Sequence, residues 1–203
     1  MRNVLLIGGF LGCLLSAAAA QPEIPGLPAG TQAPDFESVA ITGEPLVLSD
    51  VYEKGPVVLI FYRGGWCHYC NLQLQDYQKQ SRKFASLGAT VIAVSVDLAD
   101  KARAFAREKQ LDMIIVSDPE AALLEKYNAV FQVSEETAEL YKTKYHIDLE
   151  EHSGRSDRVI AVPATYVIDQ SGQIRYSHSD YDYKVRKKAQ EILDVIRQMG
   201  PAE

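Results

Sequence analysis

Cysteine is scarce in this sequence: there are three in 203 residues, and Cys13 falls inside the apolar N-terminal run. So few cysteines exclude a disulfide-built scaffold, which needs several bridges in a short chain. No second C-x-x-C accompanies Cys67-His68-Tyr69-Cys70. The spacing therefore does not supply the two further ligands of a zinc site, and neither a metal nor an organic cofactor is expected. Positive charge is also in deficit, with 21 Lys and Arg against 27 Asp and Glu and a net charge of −6. That balance argues against nucleic acid as a partner. No basic run is long enough to hold the chain on anionic lipid.

The one long apolar run is at the start. Residues 1–20 carry a single early positive charge, an apolar centre and four terminal alanines suited to cleavage after Ala20. A signal peptide is expected there, with export to the periplasm and no stable membrane contact after cleavage. An uncleaved anchor is the alternative, because the run approaches the minimum length for spanning. Lipidation at Cys13 fits less well, since apolar Leu14-Leu15 follows it. Cleavage leaves Cys67 and Cys70 in an oxidising compartment with no spare thiol.

What the sequence does contain is organised around residues 56–70. Pro56 to Tyr62 is nearly all apolar and rich in β-branched and aromatic side chains, as in a strand buried on both faces. Arg63-Gly64-Gly65 breaks it, because glycine permits backbone turns that other residues resist. Cys70, Leu74, Tyr77, Ser81 and Phe84 then recur at steps of four and three, drawing one stripe down a helix. Cys67 is thus expected in the first turn of that helix and accessible, with Cys70 one turn later and facing inward.

A helix N-terminus stabilises a thiolate through its free N–H groups and macrodipole. A cysteine there falls from a pKa near 8.5 to about 7 or below, raising the thiolate fraction at neutral pH from roughly 3% to about half or more. A protonated His68 is expected to push the same way. Cys67 then attacks and Cys70 closes a disulfide with it. A structural disulfide is the weaker reading, since so short a loop contributes only about 2 kcal/mol against nearly 5 for a loop of about 100 residues.

The remainder alternates strand and helix. Residues 21–30 are rich in proline and glycine and are expected to form a linker, with one domain over 31–200. Ala33 to Leu48 has the pattern of a β-hairpin, followed by a helical turn at Leu48-Ser49-Asp50. Strands are expected at 89–96 and 113–116, with a helix over 99–109 and another opening at Asp118-Pro119. This is a parallel βαβ core of the α/β class. Residues 134–157 interrupt it, with a helix from Ser134 to about Tyr145 and a polar loop after Glu150 and Glu151; His146 and His152 are expected at the surface. A strand over 160–168 contains Pro163, a second strand returns over 173–178, and a basic helix is expected from Asp182 onward.

The segment F-Y-R-G-G-W-C-H-Y-C, residues 61–70, resembles the F-Y-R-G-x-W-C-P-Y-C pattern of the peroxiredoxin-like branch of the alkyl hydroperoxide reductase/thiol-specific antioxidant family. The resemblance extends from about Gly30 to Ile196, including A-P-D-F at 33–36 and D-Y-x-x-R at 182–186. It implies a thioredoxin-like fold: an N-terminal β-hairpin extension, a central mixed sheet flanked by helices, and a helical insertion before a cis-proline strand. It also implies a cis Val162–Pro163 bond beside the dithiol; a trans edge-strand proline is the alternative. Trp66 and His68 flank the first cysteine, and Arg63 and Arg186 are the arginines that match positions holding a thiolate or polarising a peroxide. The sequence departs from the family in three places. His68 replaces a proline, Ile60 and Gly64 stand where true peroxiredoxins have P and T of P-x-x-x-T-x-x-C, and Phe61 stands where thioredoxins bury an acid.

Thiol redox enzymology is the expected function. In one version Cys67 reduces a peroxide, Cys70 resolves the sulfenic acid and a thioredoxin-like electron donor restores the dithiol. In the other, Cys67 attacks a protein disulfide. The motif serves both. A copper-binding chaperone using Cys67, Cys70 and a histidine is the reading from a different class, without a nearby methionine or paired-histidine motif to favour it.

Overall fold

The structure, a computed structural model, describes residues 24–200; the leader expected over 1–20 lies outside the described residues. The chain opens with strand β1 (Glu37–Val39) and strand β2 (Pro45–Val47), paired antiparallel, and helix α1 (Leu48–Tyr52). Strand β3 (Val57–Phe61) follows, then helices α2 (His68–Lys79) and α3 (Ser81–Ser86). Strand β4 (Thr90–Ser95), helix α4 (Ala99–Lys109) and strand β5 (Ile114–Ser117) complete a parallel unit. Beyond it come helix α5 (Ala122–Lys126), strand β6 (Val130–Gln132), helices α6 (Glu135–Tyr145) and α7 (Leu149–Ser153), and strand β7 (Val159–Ala161). Strands β8 (Ala164–Ile168) and β9 (Ile174–Ser179) and helix α8 (Ala189–Met199) close the described chain.

The central sheet runs β5-β4-β3-β8-β9, with β3, β4 and β5 parallel and β8 and β9 antiparallel. All five residues of β3 are fully buried, as its unbroken apolar run predicts for a strand covered on both faces. Val57, Leu59 and Phe61 pack towards α1 and α5, and Val58 and Ile60 towards α2, α4 and α8. Each such side chain contributes roughly 1.5–3 kcal/mol by leaving water. The result is the expected mixed sheet between helical layers, with the insertion 134–157 placed between β6 and β7, which pair as a small separate ribbon.

Six local expectations give way. The strand over 160–168 is two strands, β7 and β8, with Val162-Pro163 between them, so the proline lies outside the main ladder. No cis peptide bond occurs among the described residues, so Val162–Pro163 is trans. Trans is the lower-energy isomer by about 0.5–1 kcal/mol. This junction accommodates it, with Val162 N–H bonded to Ala129 O at 2.7 Å. The basic run Lys184 to Lys188 is not helical; α8 starts at Ala189, whose N–H bonds Asp76 Oδ2 at 2.8 Å. The helix expected at Pro119 starts at Ala122, held by Asp118 Oδ2, which accepts from the N–H groups of Leu123 and Leu124. The polar loop after Glu150 contains α7, capped by Asp148, which accepts from the Glu150 and Glu151 N–H groups. The stretch expected as a linker lies against the domain: Gly26 N–H bonds Asn128 O, and Leu27 N–H bonds the Tyr166 hydroxyl at 3.1 Å.

Candidate active site

The site forms at the C-terminal ends of β3 and β4, where open α/β sheets place their ligand crevices. Leaving β3, the chain turns through Gly64, whose φ of 148° is open to glycine and closed to ordinary residues. A side chain there has no space. A Cβ on Gly64 would collide with the Trp66 indole nitrogen and come 2.8 Å from Asp97 Oδ1. The turn closes with Cys67 N–H on Gly64 O at 3.1 Å, and α2 begins at the next residue.

Cys67 is the N-cap of α2 and not a residue of its first turn. Its sulfur accepts from the Cys70 N–H at 3.4 Å, so it takes the place of a capping oxygen. It is also 3% exposed, which corrects the expectation of an accessible thiol. Cys70 is fully buried on the inward stripe, and both thiols are reduced.

The two sulfurs titrate apart. The Cys70 thiol donates to Cys67, and with the Cys70 backbone N–H and the charges of Arg63 and Arg186 it brings the Cys67 pKa down to about 6 against the opposing effect of burial. Burial, this same hydrogen bond and the Cys67 charge push Cys70 well up. The separation favours the thiolate at Cys67 and the thiol at Cys70.

The predicted supporting residues divide. Arg63 is buried with its guanidinium inside a cage of Tyr183, Trp66 and Tyr141, at 4.3, 5.0 and 5.7 Å from the ring centres. Its Nη2 donates to the Tyr141 hydroxyl at 2.8 Å. Arg186 comes from the irregular segment before α8 and brings Nη2 to 3.6 Å from Cys70 Sγ. Both positive charges favour the Cys67 thiolate, and that of Arg186 favours ionisation of Cys70 as well. His68 does not join them: it is exposed, with its ring edge-on to Tyr69, because the residue after the N-cap points outward. Pro163 helps line a cavity of about 260 Å³ beside Arg63, together with Phe131, Thr137, Tyr141 and Tyr183.

Two residues that the sequence did not single out, Asp97 and Tyr141, complete the site together with His152, which was expected at the surface and is instead half-buried with its Nδ1 enclosed. Asp97, just beyond β4, is 1% exposed and accepts from the Gly65 N–H through Oδ2 at 2.6 Å. Tyr141 of α6 and His152 of α7 stand against Trp66, at ring separations of 6.0 and 6.5 Å. The insertion therefore walls the active turn. The one available signal was a carboxylate ending an apolar parallel strand next to the dithiol strand. No third ligand joins the cysteines: among the described residues no three His, Cys, Asp or Glu side chains are grouped to hold a metal ion.

The profile of the AhpC/TSA family matches residues 29–177. This chain belongs to the AhpC/TSA family. As a member of the family it is a thiol-dependent oxidoreductase with peroxiredoxin-type peroxidase chemistry. The chain is 26% identical to "Thioredoxin-like protein YneN" of Bacillus subtilis (strain 168), over 95% of this chain and 94% of that one. It is 32% identical to "Peroxiredoxin Bcp" of the same organism, over 49% of this chain and 62% of that one. The crystal structure of peroxidoxin BcpB from Mycobacterium tuberculosis superposes with a TM-score of 0.67 at 20% identity, covering 85% of this chain and 98% of that one, which shows the shared fold.

Proposed function

We propose that the protein reduces peroxides through a Cys67/Cys70 dithiol–disulfide cycle. The Cys67 thiolate attacks the terminal peroxide oxygen; the S–O bond forms, the O–O bond breaks, and the alkoxide or hydroxide leaves with a proton. Cys70 then attacks the sulfenic sulfur, releasing water and closing the disulfide. A thioredoxin-like donor restores both thiols by exchange, supplying two electrons. Arg63 and Arg186 hold the thiolates and offset negative charge as it develops on oxygen.

One observation carries this reading over protein-disulfide exchange. Cys67 is ionised near neutral pH yet 3% exposed, so a small oxidant reaches it where the disulfide of a folded protein does not without movement of the turn. Exchange is the second reading, favoured by the likeness to the thioredoxin-like relative along nearly the full length of both chains. The Cys70→Ser variant separates them. It is expected to react once with hydrogen peroxide or an organic hydroperoxide, leaving trapped sulfenic acid on Cys67, and to lose turnover. A reaction no faster than that of a free thiol of matched pKa overturns the peroxidase cycle in favour of exchange.

Export to the periplasm is proposed as well, supported by the apolar, alanine-terminated segment 1–20. Mass spectrometry of protein from its host is expected to give an N-terminus near Gln21; intact Met1 on soluble cytosolic protein overturns it.

A further inference from the structure

Beneath the turn that presents Cys67 lies a carboxyl group with no evident structural need for its second oxygen. Asp97 Oδ2 is occupied by the Gly65 N–H, but Oδ1 is buried and has no hydrogen-bond partner. His152 Nδ1 is buried and unpartnered too, and faces Oδ1 at 3.9 Å. That gap is too long for a direct hydrogen bond, and a small shift or one bridging water closes it. Two orphaned polar atoms facing each other are costly in a protein interior, and such costs concentrate at functional sites. The rest of the histidine is less enclosed, its side chain being 27% exposed. Its position is fixed by α7, where the His152 carbonyl accepts from Leu98 N–H at 2.8 Å.

We propose that Asp97, with His152 behind it, is the proton carrier of the dithiol: its carboxylate takes the proton of the Cys67 thiol and returns it to the oxyanion that leaves when the peroxide bond breaks. The inference rests on Cys67 being the attacking thiol. In the first step Cys67–SH and Asp97–COO⁻ become Cys67–S⁻ and Asp97–COOH. In the second, thiolate, peroxide and Asp97–COOH become sulfenic acid, alcohol or water, and Asp97–COO⁻. Sulfur loses two electrons to the O–O bond, and the carboxyl ends as it began. His152 links the carboxyl to solvent between turnovers.

The electrostatics are suited to this. Burial first, and then the Cys67 charge, lift Asp97 to about 7, against the Gly65 N–H, Lys101 and Ser95, while Cys67 lies at about 6. A carrier exchanges protons in both directions at low cost only when the two values are close. The other titratable groups around Asp97 are Lys101 of α4, ion-paired to Glu151 of α7, and Tyr62 just beyond β3, whose hydroxyl burial keeps protonated. His152 is held towards its neutral form by burial and by Lys101.

The test uses the reduced full chain. Asp97→Asn keeps an acceptor for Gly65 N–H and removes the titration. Alkylation of Cys67 by iodoacetamide is expected to show two inflections in wild type, near pH 6 and pH 7. In Asp97→Asn a single inflection is expected, moved to lower pH. Sulfenic acid formation at neutral pH should nonetheless slow about tenfold or more, within the range of general acid–base contributions. More thiolate with a slower peroxide reaction is a pair of changes that a purely structural role does not produce. A peroxide rate within twofold of wild type overturns the proposal, as does an equal loss of alkylation and peroxide reactivity. His152→Ala, which admits water to Oδ1, should lower the upper inflection; an unmoved inflection overturns the pairing. Alkylation needs no peroxide, so a wild-type protein inert to peroxide overturns the peroxidase cycle while the two-inflection profile still reports on Asp97.

Discussion

Arg186 Nη2 lies 3.6 Å from Cys70 Sγ, so this guanidinium faces the thiol that the proposed cycle assigns to resolving the oxidised cysteine. The resolving thiol is the one that needs help, because burial and its neighbour hold it protonated. A cation at contact distance stabilises its thiolate at the moment of attack. Arg186→Gln should therefore slow disulfide formation from the sulfenic acid by about tenfold, close to one pKa unit of lost stabilisation. Sulfenic acid formation on Cys67 should change less. Stopped-flow fluorescence of Trp66, which adjoins Cys67, follows both phases. Slowing confined to the first phase would assign Arg186 to the attacking thiol instead.

Cys67 and Cys70 should separate by reactivity in spite of both being buried. With the Cys67 value at about 6 and Cys70 well above its usual range, iodoacetamide at neutral pH should modify Cys67 first. Labelling should collapse on acidification through pH 6, as the thiolate is protonated. Peptide mapping of the first adduct settles it; Cys70 as the first site modified would reverse the two roles.

Gly64→Ala should damage stability and chemistry together. The φ of 148° is strained for alanine, and its Cβ would meet Trp66 and Asp97. Strain of this kind costs about 1–3 kcal/mol before any clash is counted. Urea unfolding should register a loss of roughly 2 kcal/mol or more. The Cys67 inflection should also rise, because the turn that fixes the N-cap geometry is displaced. A variant with wild-type stability would mean that the turn has a second conformation available.

Sequence reading succeeded where the physics is local and failed where it is distant. Val57–Phe61 announces a buried strand by composition alone, and the step from Gly65 to Cys70 marks the start of α2. Asp97 joins Gly65 across 32 positions and Tyr141 joins Arg63 across 78, so neither contact leaves a periodic trace. Lys184 to Lys188 contains good helix formers, but Lys188 N–H is taken by Glu191 Oε2 as a helix-start contact, which leaves the run before it irregular. The resemblance implied a cis Val162–Pro163 bond, whereas no cis peptide bond occurs among the described residues and Pro163 lies between β7 and β8. His152 looked like a surface residue because the helix carrying it is five residues long, too short to show a face.

Asp97 should also cost the protein stability as pH rises. Its folded value, about 7, lies above the ordinary carboxyl value, so between roughly pH 4 and 7 the folded state holds a proton that the unfolded state releases. Stability at this site is therefore fully present at low pH and is lost as pH climbs through the window, opposite to the behaviour of a salt-bridged carboxylate. Each unit of separation corresponds to about 1.4 kcal/mol, so the loss is on the order of 2–4 kcal/mol by pH 8. Cys67 titrates in the opposite sense nearby, and a Cys67→Ser background removes that coupling. In this background Asp97→Asn should match Asp97 near pH 4 and exceed it by about 2 kcal/mol or more at pH 8, since a neutral amide has no charge to desolvate. The amide also offers a donor to the unpartnered His152 Nδ1. Urea denaturation across pH 4–8 measures the difference directly. Parallel stability curves would mean that Asp97 is ionised in the folded protein at every pH in that range, and that its second oxygen is better solvated than the structure indicates.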